Sequence, residues 1–248
     1  MAIKMAGLEL ISPEGLRIDG RKCHELRKII CKKGIFVQAD GSAYIEQGNT
    51  KVIASVYGPH EVVNRSKALH DSVIINCQFS MATFSTSERK RRPKGDRKTT
   101  DISLTLQKTF ETAIMKELYP RSQIDIYVQA LQSDGSNVAA CINAATLALI
   151  DAGVPMRDFV CACTSSYVQE SCLADINYLE ESSGSARLTL ALLPRTEKIV
   201  LFQVDSKLHV DNLEQLLETS KKACLDVFTV LQQAVESDST DQSITLVV

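Results

Sequence analysis

The chain has 248 residues, a mass of 27.3 kDa, a formal net charge of −2 and a pI near 6.1. That length supports one large α/β domain or two closely packed halves, and the near-balanced charge excludes a global cationic field, so affinity for a polyanion must come from a local basic patch. No apolar run approaches the roughly 18 residues of a membrane span.

The apolar part of the opening MAIKMAGLELISPEG is too short for a signal peptide. The eight cysteines are scattered singly, Cys77, Cys141, Cys161, Cys163 and Cys224 within apolar runs, and none forms a CxxC pair. They are expected to be small buried hydrophobes of a reducing compartment, and the protein to be soluble and intracellular.

Val52 to Tyr57 and Val73 to Phe79 are short β-rich runs, the first closed by Gly58-Pro59. From Asp101 the period changes: Ile102, Leu106, Phe110 and Ile114 recur every four residues, which predicts an amphipathic helix stopped at Tyr119-Pro120. Ile124 to Leu131 alternates as a half-buried strand, and after the Asp134-Gly135 turn the Ala- and Leu-rich run Val138 to Ala152 predicts a deeply buried helix ended by Gly153 and Pro155. Strands are expected at Phe159 to Val168, Arg187 to Leu193 and Lys198 to Val204. A long helix follows from Leu213 to about Val235, opened by Asp211 and Glu214 at capping-box spacing. Residues 237–248, SDSTDQSITLVV, change composition and are expected as a tail, whose apolar end is able to add a strand to a sheet. The recurrence of strands then helices suggests an internal duplication.

The densest charge feature is Arg89 to Lys98, RKRRPKGDRK, where Asp96 is the only acid and Pro93 and Gly95 argue for a loop. A solvated loop or a nuclear-import signal is the plain alternative. Contact with phosphates is the favoured reading, because clustered cations neutralise them and release counterions. Arg65 and Lys67 extend the same track. The turn before the buried helix, with Ser136 following Gly135, presents free N–H groups at the positive end of a helix dipole, a recipe for anion binding as well as for a tight turn with an N-cap. Asp175, Glu180 and Glu181 form an acidic group able to hold a divalent ion, or to be surface acids. His24, His60, His70 and His209 have no partner spacing.

Together these blocks resemble the RNase PH family along most of the chain: RIDGRKCHELRKI from Arg17, ADGSAYIEQGNTKVIASVYGP from Ala39, the basic loop followed by TTDISLTLQKTFE, LYPRSQIDIYVQALQSDGS, and NAATLALIDAGVPMRD from Asn143. Within the family, SAYIEQGNTK, ERKRRPKGDRK and DFVCAC look most like the exosome ring subunit related to the catalytic archaeal one. The resemblance implies an α/β (α+β) RNase PH fold of the ribosomal-protein-S5-domain-2-like type in two packed αβ halves, here residues 17–153 and 154–236. It also implies dimers within a six-membered ring that RNA threads. Active members perform phosphorolysis: inorganic phosphate attacks the 3′-terminal phosphodiester and a nucleoside diphosphate leaves. Two anions must then be brought together, which demands cations and hydrogen-bond donors.

Active relatives place Thr or Ser and then Arg after this turn. Here Ser136 keeps the hydroxyl, but Asn137 stands where the arginine would grip phosphate with a bidentate fork. They also carry three aspartates at six-residue spacing, matched here by Asp175, Glu181 and Arg187, the last opposing any cation. An arginine-type residue shortly before the acid that opens the long helix contacts RNA in relatives, and Arg97 and Lys98 precede Asp101.

The expectation is therefore a non-catalytic exosome ring subunit, Ser136, Asn137, Asp175 and Glu181 being vestigial, which threads single-stranded RNA along Arg65, Lys67, Arg89, Arg91, Arg92, Arg97 and Lys98 while a separate nuclease cuts. The alternative is an active phosphate-dependent 3′-to-5′ exoribonuclease in which Arg187 or a neighbouring subunit's cation substitutes, and only it calls for Mg²⁺ and inorganic phosphate. Expected partners are RNase PH-type ring subunits, cap subunits with RNA-binding domains, an associated 3′-to-5′ nuclease and RNA, with no membrane. The expected localisation is the nucleus, including the nucleolus, and the cytoplasm. Alone, the chain is expected to expose an apolar face and to dissolve poorly.

Overall fold

The computed structural model describes residues 10–62, 69–89, 96–169 and 171–245, with side chains described to residue 237. Alternation along β3 (Thr50–Glu61) buries Val52, Ala54 and Val56 and leaves Ile53, Ser55 and Tyr57 on the opposite face. With β1 (Ile29–Lys33), β2 (Gly41–Gln47), β4 (Ile74–Met81) and β5 (Ser122–Gln132) it builds a five-stranded sheet ordered β1-β2-β3-β5-β4. Only β4 and β5 run parallel. A parallel pair needs a crossover, and α1 (Arg97–Ala113) supplies it, packing Leu106, Phe110 and Ala113 against the sheet.

α2 (Asn137–Asp151) is apolar all round, and residues 139–149 are all buried, as a helix covered on every side requires. It lies between β2, β3 and β5 of the first sheet and β6 (Cys161–Val168) and β8 (Ala186–Leu193) of the second. Asn143 joins it to β6 through a reciprocal amide pair, Nδ2 donating to Ala162 O at 3.0 Å and Oδ1 accepting from Ala162 N at 2.8 Å. The second sheet is antiparallel in the order β7 (Ser171–Ala174), β6, β8, β9 (Lys198–Val204) and is covered by α4 (Val210–Thr245); the short α3 (Tyr178–Ser182) follows β7. One continuous core runs through both halves.

Five differences from the sequence reading have local causes. α1 ends at Ala113, not at Tyr119-Pro120, because Ile114 turns extended and bridges to Met156. A register shift between Tyr57 and His60 carries β3 past Gly58-Pro59, which were expected to close it. α1 starts at Arg97, not Asp101, because no breaker follows Gly95 and the Thr99 and Thr100 hydroxyls donate to Asp96 O at 2.8 and 3.0 Å. α4 continues through the expected tail to Thr245, since the chain has no Gly or Pro beyond Pro194; Asp211 sits inside its first turn beside His209. A capping box forms instead at Asn177 and Glu180, each side chain meeting the other's backbone N–H at 3.0 Å. Cys77, Cys141, Cys161, Cys163 and Cys224 are buried, and burial pushes the Cys77 and Cys163 thiols up to about 12.

Gly41 sets the distance between β2 and α2. A Cβ there would stand 2.3 Å from Ala148 O and 2.4 Å from Ala152 N, both backbone atoms that move only if the helix moves. Gly41→Ala is expected to cost about 1–3 kcal/mol by overpacking, read as a lower urea midpoint; an unchanged midpoint would show that the helix has room to retreat.

Candidate functional site

Because β4 and β5 are parallel, their C-terminal ends lie side by side, and the N-termini of the helices that follow them gather at the same end of the sheet. The turn from β5 to α2 is Ser133 to Ser136. Gly135 has φ +79°, and a Cβ there would come within 2.6 Å of the Ile176 and Asn177 backbone, so only glycine lets this turn rest on the second half. Ser136 is buried in the left-handed region with φ 52°, and its hydroxyl donates to Ile176 O at 3.0 Å. That hydroxyl hydrogen is thus directed into the protein. Asn137 opens α2 with its amide turned back, Nδ2 donating to Ser133 Oγ at 2.7 Å. Asn137 Oδ1 and the buried Ser85 Oγ have no hydrogen-bond partner among the described residues. The turn keeps polar groups and a helix N-terminus but carries no cationic side chain.

The carboxylates opposite are held by arginines. Asp175 is fully buried and takes Arg27 on both oxygens, Nε and the backbone N–H donating to Oδ2 at 2.9 and 3.0 Å and Nη2 to Oδ1 at 2.7 Å. Burial pushes the Asp175 carboxyl up, but the Arg27 hydrogen bonds and charge outweigh it and hold the group below its ordinary 3.8. Arg27 Nη1 also donates to Asp134 O at 2.8 Å, so the same guanidinium supports the anion turn.

Glu180, read from sequence as one of an acidic group, is instead a buried structural residue: it caps α3 and pairs with buried Arg17, whose Nε donates at 2.7 Å. Glu181 pairs with Arg187, which also donates from Nε to Asp205 Oδ2 at 2.9 Å. Among the described residues no group of three or more His, Cys, Asp and Glu side chains is placed to hold a metal ion.

Of the cations expected to contact RNA, Arg89 is exposed after β4, and Arg97 and Lys98 are exposed in the first turn of α1, within the helix and not in a loop. That turn holds no acid, so two positive side chains sit at the positive end of a dipole, an arrangement that favours a bound anion. Arg65, Lys67, Arg91 and Arg92 lie outside the described residues. Arg17 and Arg27 were missed as site residues. Nothing in the spacing of RIDGRKCHELRKI shows that its arginines reach carboxylates about 150 positions away, a reach fixed by topology alone.

Comparison with known proteins bears on this geometry. Residues 25–155 match the 3′ exoribonuclease family, domain 1, and residues 158–223 match domain 2 of that family. The chain is 57% identical over 243 residues to the exosome complex component RRP41 of Homo sapiens, covering 98% of this chain and 99% of that protein. It is 41% identical over 227 residues to the exosome complex component Rrp41 of Methanopyrus kandleri, covering 92% and 95%. Among solved structures it superimposes on rice Rrp46 with a TM-score of 0.80 at 21% identity, over 89% of this chain and 100% of that one. On an Archaeoglobus fulgidus exosome chain, from a structure with RNA bound to the active site, the TM-score is 0.76 at 22% identity, over 87% and 92%. At those identities the structures establish the fold.

The buried pair generates a stability prediction. Arg27→Met leaves Asp175 buried without its partner and is expected to cost about 3–5 kcal/mol, while Arg27→Met with Asp175→Leu costs clearly less than the two single changes added. Urea titrations of the four proteins measure this; additive costs would mean the pair is not coupled. A second outcome concerns pH. With its pKa lowered on folding, Asp175 contributes stability that is full above its ordinary 3.8 and is lost as pH falls through the lower native value. The double variant is therefore expected to lose less stability than the wild type between pH 5 and the acid limit, checked by urea midpoints; equal losses would contradict it.

Proposed function

Since this chain belongs to the 3′ exoribonuclease (RNase PH) family, we propose that it is a ring subunit of an RNA exosome, one that binds and threads single-stranded RNA for an associated 3′-to-5′ nuclease without cutting it. Its partners on this reading are other RNase PH-type ring subunits, cap subunits with RNA-binding domains and the nuclease. Its places of work are the nucleus, including the nucleolus, and the cytoplasm.

The observation that carries the reading is the charge at two neighbouring helix N-termini. At α2 the turn that would take a phosphate offers Asn137 in place of a guanidinium, and an amide brings neither charge nor a bidentate fork. Loss of one such cation costs on the order of a few kcal/mol at a transition state that brings two anions together. The carboxylates do not fit a divalent ion: Asp175 faces Arg27 and Glu181 faces Arg187, so a cation would meet guanidinium groups already in place. Arg187, the substitute cation of the catalytic alternative, is engaged by Glu181 and Asp205, which weighs against that alternative. No metal and no bound phosphate are needed for the function proposed. At α1, by contrast, Arg97 and Lys98 are exposed in a first turn that holds no acid, between the N-cap Asp96 and Asp101. An outer sheet face bearing Tyr57 and Tyr127, with exposed Ile35, Phe36 and Val37 beside it, fits a subunit that works within an assembly.

Two measurements test the reading. The assembled ring, given a tailed RNA, is expected to release no nucleoside diphosphate whether or not inorganic phosphate is present; phosphate-dependent release that Arg187→Ala abolishes would establish the catalytic alternative. Arg97→Ala with Lys98→Ala is expected to weaken RNA binding and to lower the slope of log affinity against log salt by about 1.4, at about 0.7 per phosphate contact on a single strand. An unchanged slope would remove α1 from the RNA path.

A further inference from the structure

Phe84 carries the most exposed Phe or Tyr ring among the described residues, 72% accessible. Its position is not that of a loosely held surface side chain. Ala82 N–H donates to Ala130 O at 2.9 Å, Ser85 N–H closes a tight turn on Ala82 O at 3.0 Å, and Ser133 N–H donates to Ser85 O at 2.9 Å. The turn bearing Phe84 is thereby fastened to the end of β5 and to the first residue of the anion turn. Arg89 follows on the same loop, and the first turn of α1, with Arg97 and Lys98, stands at the same end of the sheet, because Phe79 N–H donates to Ser103 Oγ, one to two turns further along α1, at 3.0 Å.

Leaving a phenyl ring in water forgoes the gain of its burial, so a turn that fixes such a ring outward favours an apolar ligand with a flat face. The neighbouring cations favour a ligand with negative charge. A single-stranded nucleic acid has both, bases with π faces and a phosphate backbone, and alternation of aromatic platforms with cations is how such strands are held without reading sequence. A protein partner fits less well, since the core of a protein interface is depleted of charge, lysine above all.

We propose that Phe84 is a stacking platform for a base of the RNA strand, placed between the anion turn of α2 and the cations of α1. The inference rests on the RNA-binding reading above and adds to it a residue acting on the base, independent of charge. Stacking is tolerant of sequence because every base offers a π face, so the platform sets affinity and strand position without choosing among the bases.

The test uses the purified full chain with a short oligoadenylate carrying 2-aminopurine, whose fluorescence is quenched on stacking, and with the same ribose-phosphate backbone lacking bases. Phe84→Ala is expected to weaken oligoadenylate binding about five-fold or more, to abolish the quenching and to leave the salt slope unchanged, while Phe84→Trp restores both affinity and quenching. Binding of the strand without bases is expected to be indifferent to Phe84→Ala. If Arg97→Ala with Lys98→Ala weakens binding while Phe84→Ala does not, the platform is refuted and the RNA-binding reading stands. If neither change affects binding, that reading fails and the platform fails with it. If Phe84→Ala leaves RNA binding intact but prevents co-purification with a related ring subunit, the ring belongs to a protein interface and the proposal is overturned.

Discussion

The ion pair between Arg27 and Asp175 is the constraint on which the site's architecture depends. Asp175 lies at φ 50°, a left-handed conformation unfavourable for a residue with a side chain, at the point where β7 gives way to the loop before α3. What holds it there is a guanidinium on both carboxylate oxygens and, on its backbone carbonyl, Arg17 Nη2 at 3.0 Å. The same Arg27 touches Asp134 O and Thr50 Oγ1, so one side chain ties the amino-terminal segment, the end of β5 and the second half together. A carboxylate in that position is structural first, and its charge and both its oxygens are committed to holding the halves in place.

From this follows the contrast between the two helix N-termini. Both face the same end of the parallel pair β4 and β5, and both present free N–H groups. α2 is buried between two sheets, starts with neutral Ser136 and Asn137, and directs their donors to Ile176 O and Ser133 Oγ. α1 begins in solvent with Arg97 and Lys98. One end is closed and offers no cationic side chain of its own, the other is open with two. Such a division suits a surface that guides a polyanion past a pocket without reacting with it.

Much of the fold was legible because its signals are local or periodic. Leu106 and Phe110 at four-residue spacing, the small apolar residues of α2 and the alternation along β5 each report burial directly. β1, β2 and β7 escaped notice, being short or flanked by turns that periodicity does not resolve. The start of α1 and the length of α4 were misjudged because helix ends depend on hydroxyl contacts and on the absence of breakers more than on the apolar stripe. In the site, neutral Asn137 and positive Arg187, where the resemblance implies an arginine and an aspartate, were visible in residue identity. The partners were not: Glu180 read as one of a group able to hold a divalent ion, or as a surface acid, because its cap on Asn177 and its pair with Arg17 exist only after folding brings distant segments together.

The most direct test is a crystal structure of the assembled protein soaked in manganese chloride and inorganic phosphate, with anomalous scattering used to locate the metal. The account predicts Arg27 on Asp175 and Arg187 on Glu181, and no manganese between those carboxylates. A manganese ion bridging Asp175 and Glu181, with phosphate ordered beside Ser136 and Asn137, would contradict it.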